Sequence, residues 1–202
     1  FTLKNNLIVI SEKKNSVLFE LAKKMQAEFV EHNHFISGRY SVLSEVGMLP
    51  SYLMGLNINK FTKFLDFFKN RKLKACLIRN VSNIYTLSKY GLKNSVIFNY
   101  DSSLNDFGYW YQQLVAESLG KRGKGITPIV SFAPKDHHSL LQLFLDGPKD
   151  KFFTFFNSNV SHQQYKITKT HLLKDMDFIK NKKLGFLLRA QSNAVKKIFK
   201  NN

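Results

Sequence analysis

The chain of 202 residues has one cysteine, four prolines and no long hydrophobic run. A single cysteine, Cys76, excludes an internal disulfide framework and fits a reducing cytosol, so we expect a cytoplasmic protein. The apolar neighbours of Cys76 predict a buried structural thiol. No apolar run approaches the roughly 20 residues of a membrane span, and the first residues lack the pattern of a signal peptide. We therefore expect no membrane association.

Acidic residues are scarce, with 14 against 31 basic ones and a net charge of +17. Such a charge is compatible with nucleic acid, anionic membrane or an anionic substrate. The cations are mostly lysine, and no arginine-rich stripe or nucleic-acid motif is present. The arginines are spread over the chain at Arg39, Arg71, Arg79, Arg122 and Arg189. We expect a lysine-rich surface without a nucleic-acid partner, whose positive field steers a phosphorylated metabolite inward.

Strand-like and helix-like segments alternate along the chain, which favours an α/β domain with a mostly parallel sheet flanked by helices. Predicted strands cover 7–10, 28–30, 95–100, 126–132 and 152–156. Predicted helices cover 16–25, 42–56, 59–70, 73–90, 107–119 and 138–145, with two more in 168–202 that break near 183–185. We expect one domain over 1–157 and a helical extension over 158–202 packing on it. Sites in such folds lie at the carboxyl ends of strands.

Glu117 is the candidate general base. It lies near the end of a predicted helix, with Gln113 one turn earlier on the same face. Removal of a proton next to a carbonyl needs a carboxylate in a water-poor pocket, where its pKa rises toward neutrality. The glycines that follow, Gly120, Gly123 and Gly125, permit close approach of backbone to a ligand. The alternative is an ordinary surface glutamate.

The sequence Asp136-His137-His138 predicts two imidazoles in the first turn of a helix that Asp136 caps. Histidine moves protons at neutral pH, as the opening of a sugar hemiacetal requires. The alternatives are surface histidines or a metal site that also recruits His32 and His34. No cysteine or glutamate completes a familiar ligand set, so we expect no metal and no cofactor.

Arg39 follows Ser37 and Gly38 in a loop that precedes a predicted helix, which Ser41 is placed to cap and Pro50 to kink. A guanidinium at this place stabilises a developing enediolate, because it stays charged and presents a rigid fork of donors. The alternative is a loop arginine paired with a carboxylate.

Three segments together resemble the phosphoglucose isomerase family. Residues 37–47 (Ser-Gly-Arg-Tyr-Ser-Val-Leu-Ser-Glu-Val-Gly) are similar to its Gly-Gly-Arg-Tyr-Ser signature. Residues 113–121 (Gln-Leu-Val-Ala-Glu-Ser-Leu-Gly-Lys) are similar to its second signature, Gln-x3-Glu-Ser-x-Gly-Lys. Residues 138–143 (His-Ser-Leu-Leu-Gln-Leu), followed by Asp-Gly-Pro at 146–148, resemble its histidine segment. The matches keep their order and spacing from residue 8 to about residue 157.

The resemblance implies a three-layer sugar-isomerase domain that interconverts glucose 6-phosphate and fructose 6-phosphate, as in glycolysis and gluconeogenesis. By this resemblance Glu117 shuttles the proton between C2 and C1, Arg39 steadies the cis-enediolate, and His138 rather than His137 assists ring opening. Gly38 and Gln113 would line the substrate. The family is dimeric, and its histidine reaches in from the partner subunit. A related sugar-phosphate isomerase and a non-catalytic sugar-phosphate-binding module are the alternatives.

The chain departs from the family pattern in three places. Ser37 stands where the family has a glycine. No Ser/Thr-rich phosphate-binding loop precedes Leu7, and no match to the family's C-terminal lysine segment is found up to Asn202. We therefore expect the chain to be an internal or C-terminal portion of a longer protein, and residues 1–202 alone to isomerise poorly because the substrate phosphate is not held in register.

Overall fold

The computed structural model of the chain describes residues 6–158, 165–168 and 174–201. The chain forms two compact units that divide between Val81 and Ser82. Each unit contains a parallel sheet with helices, as the alternation of the sequence predicted. This division does not test the domain boundary expected near residue 157, which stays a prediction.

The first unit begins with a strand, a helix and a second strand. The strands β1 (Ile8–Ser11) and β2 (Glu28–Glu31) pair in parallel, with Ile8 opposite Glu28. Helix α1 (Val17–Met25) connects them, and the hydroxyl of Ser16 accepts a hydrogen bond from the Phe19 N–H at 3.2 Å, as an N-cap does. The remaining elements are a 3-10 helix (Gly38–Leu43), α2 (Glu45–Leu53), α3 (Asn59–Thr62), α4 (Phe64–Lys69) and α5 (Arg71–Lys89), whose residues from Ser82 onward belong to the second unit.

The predicted helix over 42–56 was wrong in its first turn. The chain forms a 3-10 helix there, in which the Ser41 hydroxyl donates to the Gly38 carbonyl at 2.8 Å. Ser41 therefore does not cap α2, and Ser44 occupies the N-cap position. Pro50 lies inside α2 and does not divide it. Local bonds from serine hydroxyls compete with regular helix at this point, which hydrophobic spacing alone does not indicate.

The prediction that Cys76 is buried was also wrong. Cys76 is exposed. It lies on α5, and none of the residues of this helix, all of which the structure describes, is buried. Leu77 and Ile78, which made the segment look like a core face, are themselves 51% and 62% exposed.

The second unit is built on a three-stranded parallel sheet in the order β4-β3-β5. The strands are β3 (Asn94–Asn99), β4 (Thr127–Phe132) and β5 (Lys151–Phe156). The central strand β3 pairs with both neighbours along its whole length. All three strands were predicted from sequence to within a residue at each end.

Helices cover both faces of this sheet, which confirms the expected layered α/β fold. On one face lies α6 (Asn105–Leu119), whose Gly108 comes so close that a Cβ would stand 2.9 Å from the Val130 side chain. On the other face Phe144 and Phe199 pack against Phe98. They belong to α8 (Leu141–Asp146) and α9 (Leu184–Asn201).

Two helical predictions in this unit need correction. The helix expected over 138–145 is two short helices, α7 (Lys135–Ser139) and α8, separated at Leu140. In the tail, α9 begins at Leu184 as the predicted break required, but residues 174–179 form a 3-10 helix. Residues 169–173 and 202 of that prediction lie outside the described residues. Among the helices of the described ranges, none is long and apolar enough to cross a membrane.

Gly47 generates a testable prediction about how the first unit is held. A Cβ at this position would lie 2.1 Å from the carbonyl oxygen of Val42, so α2 packs directly on the backbone of the 3-10 helix. Because backbone on both sides must move, Gly47→Ala is expected to lower the free energy of unfolding by about 1–3 kcal/mol. Urea denaturation measures this change.

Gly38→Ala is the matched control, because apart from Gly38 itself and its two chain neighbours no heavy atom of the described residues lies within 4 Å of its Cβ position. We expect it to change stability by less than about 0.5 kcal/mol. Equal losses in the two variants would contradict the close contact of Gly47 with Val42.

Candidate active site

Arg39 lies in the first turn of the 3-10 helix of the first unit and is half-buried. The Tyr40 N–H donates to the Ser37 carbonyl at 2.8 Å, and the Ser44 hydroxyl donates to the Ser41 carbonyl at 2.8 Å. These short bonds wind the segment tightly and hold the backbone on both sides of the guanidinium. The surface of Gly38, directly before Arg39, is open.

His32, which follows β2, holds this segment in a way that the sequence did not indicate. Its Nδ1 bonds the Glu45 carboxylate at the start of α2, and its Nε2 lies 2.8 Å from the Ile36 carbonyl oxygen. The hydrogen bond with Glu45 is the main reason that the pKa of His32 is raised, and the same bond lowers the pKa of Glu45. His32 and Glu45 are too far apart in sequence for spacing to have revealed the pair.

The same contacts bear on the metal alternative for the histidines. Both ring nitrogens of His32 face protein oxygens. His34 lies against Phe35, with ring centroids 3.8 Å apart and the rings tilted by 40°. Over the part of the chain that the structure describes, no group of three or more His, Cys, Asp or Glu side chains is arranged to hold a metal ion.

Glu117 lies in the last turn of α6. Its Oε1 accepts a hydrogen bond from Nε2 of Gln113 at 2.9 Å, so the two side chains lie on one face of the helix as the spacing predicted. Both side chains are exposed. The described residues of the second unit therefore present Glu117 to solvent and do not enclose it in the water-poor pocket that a general base needs.

The glycines after Glu117 fold into a tight turn. Lys121 and Lys124 exchange backbone hydrogen bonds of 3.1 and 3.0 Å, and Arg122 and Gly123 between them have positive φ. Gly125 has φ +140°, and a Cβ there would stand 3.1 Å from the Cα of Gly120. These glycines were expected to let the backbone approach a ligand closely. In the structure they let the two ends of the turn approach each other.

Asp136 does not cap the helix that carries the two histidines, so that prediction was wrong. Pro134 occupies the N-cap position of α7, and Asp136 lies buried in the first turn. Its carboxylate accepts from the Phe132 N–H at 2.6 Å and from the Ser139 hydroxyl at 3.0 Å. Asp136 therefore ties α7 back to the end of β4.

The two neighbouring histidines have different surroundings. His138 is exposed, whereas His137 is half-buried against Phe98 and Tyr100. The Nε2 of His137 lies 2.6 Å from the Tyr100 hydroxyl. Burial lowers the pKa of His137, although the nearby Asp136 carboxylate opposes this, and burial raises the pKa of Tyr100 to about 12. His137 thus belongs to the packing of the unit, and His138 is the histidine that is accessible.

Glu117 and His138 are not brought together within the second unit. Tyr109 near the start of α6 packs on Phe132 at the end of β4, and Gln112 donates to the Pro128 carbonyl near the start of that strand. Helix α6 therefore runs antiparallel to β4. Glu117 lies beyond the amino end of β4 and His138 beyond its carboxyl end, on the order of 20 Å apart along the strand direction.

Comparison with known proteins identifies relatives of the chain. The sequence profile described as Phosphoglucose isomerase matches residues 3–144. The glucose-6-phosphate isomerase of Methanocaldococcus jannaschii is 43% identical over 130 residues, which cover 59% of this chain and 31% of that protein. The glucose-6-phosphate isomerase of Campylobacter jejuni is 35% identical over 169 residues, covering 79% of this chain and 40% of that protein. The chain spans less than half the length of these curated relatives.

A solved structure supports the fold. The crystal structure of a hypothetical protein from Thermus thermophilus matches with a TM-score of 0.76 and 25% identity. The match covers 96% of this chain and 49% of that protein. The parallel sheets flanked by helices are therefore shared with an experimentally determined structure.

The burial of His137 predicts that the second unit loses stability in acid. Because its pKa is lowered in the folded state, the unfolded chain takes up a proton at a higher pH than the folded chain does. The contribution of His137 is thus present above the ordinary histidine pKa of about 6.5 and is lost as the pH falls through the lowered value. Urea midpoints for the unfolding of the second unit, measured from about pH 7.5 to 5, should fall in the unaltered protein.

His137→Gln is expected to reduce this acid loss, since the amide accepts from Tyr100 without titrating. His138→Gln, the matched control on the exposed neighbour, should leave the pH profile unchanged. Identical profiles for the unaltered protein and His137→Gln would contradict this account.

Proposed function

Because the chain belongs to the phosphoglucose isomerase family, we propose that its protein interconverts glucose 6-phosphate and fructose 6-phosphate through a cis-enediolate. The observation that carries the proposal is that all three candidate groups, Arg39, Glu117 and His138, fall within the matched residues 3–144 in their expected motifs. The reaction moves one proton between C2 and C1 of an open-chain sugar and a second between the oxygens on these two carbons. It therefore needs a base, a stabilising cation and a group that assists ring opening.

In this proposal Glu117 is the base. Its carboxylate removes the proton from C2 of the open-chain aldose and returns it to C1, so it is regenerated in each turnover. The hydrogen bond from Gln113 orients the carboxylate. The solvent exposure of Glu117 means that bound substrate and a second subunit must exclude water from it.

Arg39 stabilises the negative charge that develops on the enediolate oxygens. The tightly wound backbone around it limits the positions that the guanidinium takes, and preorganised donors of this kind stabilise a transition state without reorganisation. The open surface of Gly38 leaves room for a substrate beside the backbone. We assign Gly38 to substrate binding on this basis, and Gln113 because it lies one helical turn from Glu117 and bonds its carboxylate.

His138 assists the opening of the sugar ring, and we propose that it serves the active site of the partner subunit in a homodimer. The support is the position of Glu117 and His138 beyond opposite ends of β4. A single sugar phosphate does not bridge a separation on the order of 20 Å. In a two-fold symmetric dimer, His138 of each subunit can lie close to Glu117 of the other subunit, so each subunit supplies its histidine to the site of its partner.

The role of Glu117 is tested by Glu117→Gln. Glutamine keeps the shape and loses the basicity, so we expect substrate to bind while turnover falls by about 10²- to 10⁴-fold. A coupled dehydrogenase assay measures turnover. Asp106→Asn, which neutralises an exposed carboxylate at the other end of α6, is the matched control and should keep normal turnover. Near-normal activity of Glu117→Gln would remove Glu117 from the mechanism.

Mixed dimers test the contribution of His138. Glu117→Gln and His138→Ala subunits, each inactive alone, are mixed and the heterodimer is purified through two different tags. If His138 acts across the interface, one of the two sites is intact, and about half of the activity of the unaltered dimer should return. Heterodimers that stay inactive would place both groups in the site of one subunit.

A further inference from the structure

The ring of His32 lies between a carboxylate, whose lowered pKa keeps it ionised, and a backbone carbonyl oxygen, and both of these only accept hydrogen bonds. Nδ1 faces the carboxylate of Glu45, and Nε2 lies 2.8 Å from the carbonyl oxygen of Ile36. A neutral imidazole donates through one nitrogen only, whereas an imidazolium donates through both. The geometry therefore calls for a proton on each ring nitrogen, with Glu45 as the ionised partner.

The side chains of His32 and Glu45 are only 14% and 27% exposed, so water competes little for their bond. The hydrogen bond to Glu45 and then that to Ile36 raise the pKa of His32, which agrees with the doubly protonated ring. The other charged groups that face the ring come from the segment after β1. The carboxylate of Glu12 adds to the raised pKa of His32 and is itself paired with Lys14 at 2.6 Å.

The two residues whose oxygens the ring binds flank the Arg39 segment in the sequence, one before it and one after it. Ile36 precedes the Ser-Gly-Arg run, and Glu45 opens α2 directly after the 3-10 helix. His32 itself is anchored to the sheet, because its backbone N–H donates to the Ser11 carbonyl at 2.8 Å. One ring thus connects the end of β2 to both ends of the Arg39 segment.

We propose that His32 is a positioning residue: its doubly protonated ring holds the Arg39 segment in its active arrangement, and loss of one ring proton at alkaline pH releases it. The catalytic part of this inference rests on the proposed role of Arg39. The ring contacts neither substrate nor reacting atoms, and it acts through the backbone at Ile36 and through Glu45.

The effect of pH has two limits. The pKa of His32 is raised, so its contribution is complete below the ordinary histidine value of about 6.5 and is lost as the pH rises through the raised value. The pKa of Glu45 is lowered, so its contribution is complete above the ordinary glutamate value and is lost as the pH falls through the lowered value. Between these limits the segment is held.

The first test does not depend on activity. In the full protein with ¹⁵N-labelled histidine, NMR at about pH 6.5, the ordinary histidine pKa, should find both ring nitrogens of His32 protonated, with a titration above that of free histidine. Amide exchange at Tyr40 and Ser44, whose N–H groups close the 3-10 helix, should become about tenfold faster in His32→Gln. His34→Gln, an exposed histidine in the same segment, is the matched control and should leave the exchange unchanged.

The second test is kinetic. His32→Gln is expected to lower kcat by about 10- to 100-fold with little change in KM, because misplacement of Arg39 affects the enediolate more than the bound sugar. Glu45→Gln, which keeps the shape of the acceptor, should retain activity at about pH 6, below the ordinary histidine pKa. Its activity should then be lost at a lower alkaline pH than that of the unaltered protein. If His32→Gln does not fold, the shift in the alkaline pH at which Glu45→Gln loses activity tests the positioning role of His32 instead.

The results separate the two proposals. A neutral His32 ring in the NMR experiment, or unchanged amide exchange in His32→Gln, would overturn the positioning role whatever the activity. A rise in KM with unchanged kcat would overturn the link from His32 to Arg39. The protein could also lack isomerase activity while its His32 ring is doubly protonated and amide exchange becomes faster in His32→Gln. That result would contradict the proposed function but would support the role of His32 in holding the Arg39 segment.

Discussion

The burial of β3 on both faces is the constraint on which the second unit depends. Val96 and Phe98 are completely buried on the side of α8 and α9, and Ile97 is equally buried toward α6. A strand in this position must satisfy its backbone groups inside the protein, and the parallel ladders to β4 and β5 do so along its whole length. The positions of Glu117 and His138 are then set by the helices that this sheet supports.

The first unit holds its candidate residue by different means. Arg39 is placed by short-range polar bonds, from the Ser41 and Ser44 hydroxyls and from the His32 ring, together with the contact of Gly47 on Val42. The bond between His32 and Glu45 involves two ionisable groups, so it responds to pH, whereas contacts within a buried apolar core do not. The two units therefore place their candidate residues by different kinds of contact.

The candidate site was predictable to the extent that its chemistry lies in contiguous motifs. Gln113 and Glu117 are one helical turn apart, so their hydrogen bond followed from spacing alone. The role of Asp136 could not be predicted from spacing, because its partners, Phe132 and Ser139, become neighbours only when α7 folds back on the end of β4. The distinction between His137 and His138 came from a motif, and its physical cause, the burial of His137 beside Tyr100, needs the folded sheet.

The sequence by itself determined the α/β class, the five strands, the family and the order of the candidate residues, because each rests on local periodicity or on contiguous motifs. Only the tertiary structure decided that Cys76 is exposed, that Ser41 bonds within a 3-10 helix, and that His32 joins Glu45. It also decided that Glu117 and His138 lie beyond opposite ends of β4. This separation supports the proposal that a second subunit contributes to each site. The physical reason is common to all of these: burial and hydrogen bonding between residues distant in sequence are properties of packing, and no periodicity along the chain encodes them.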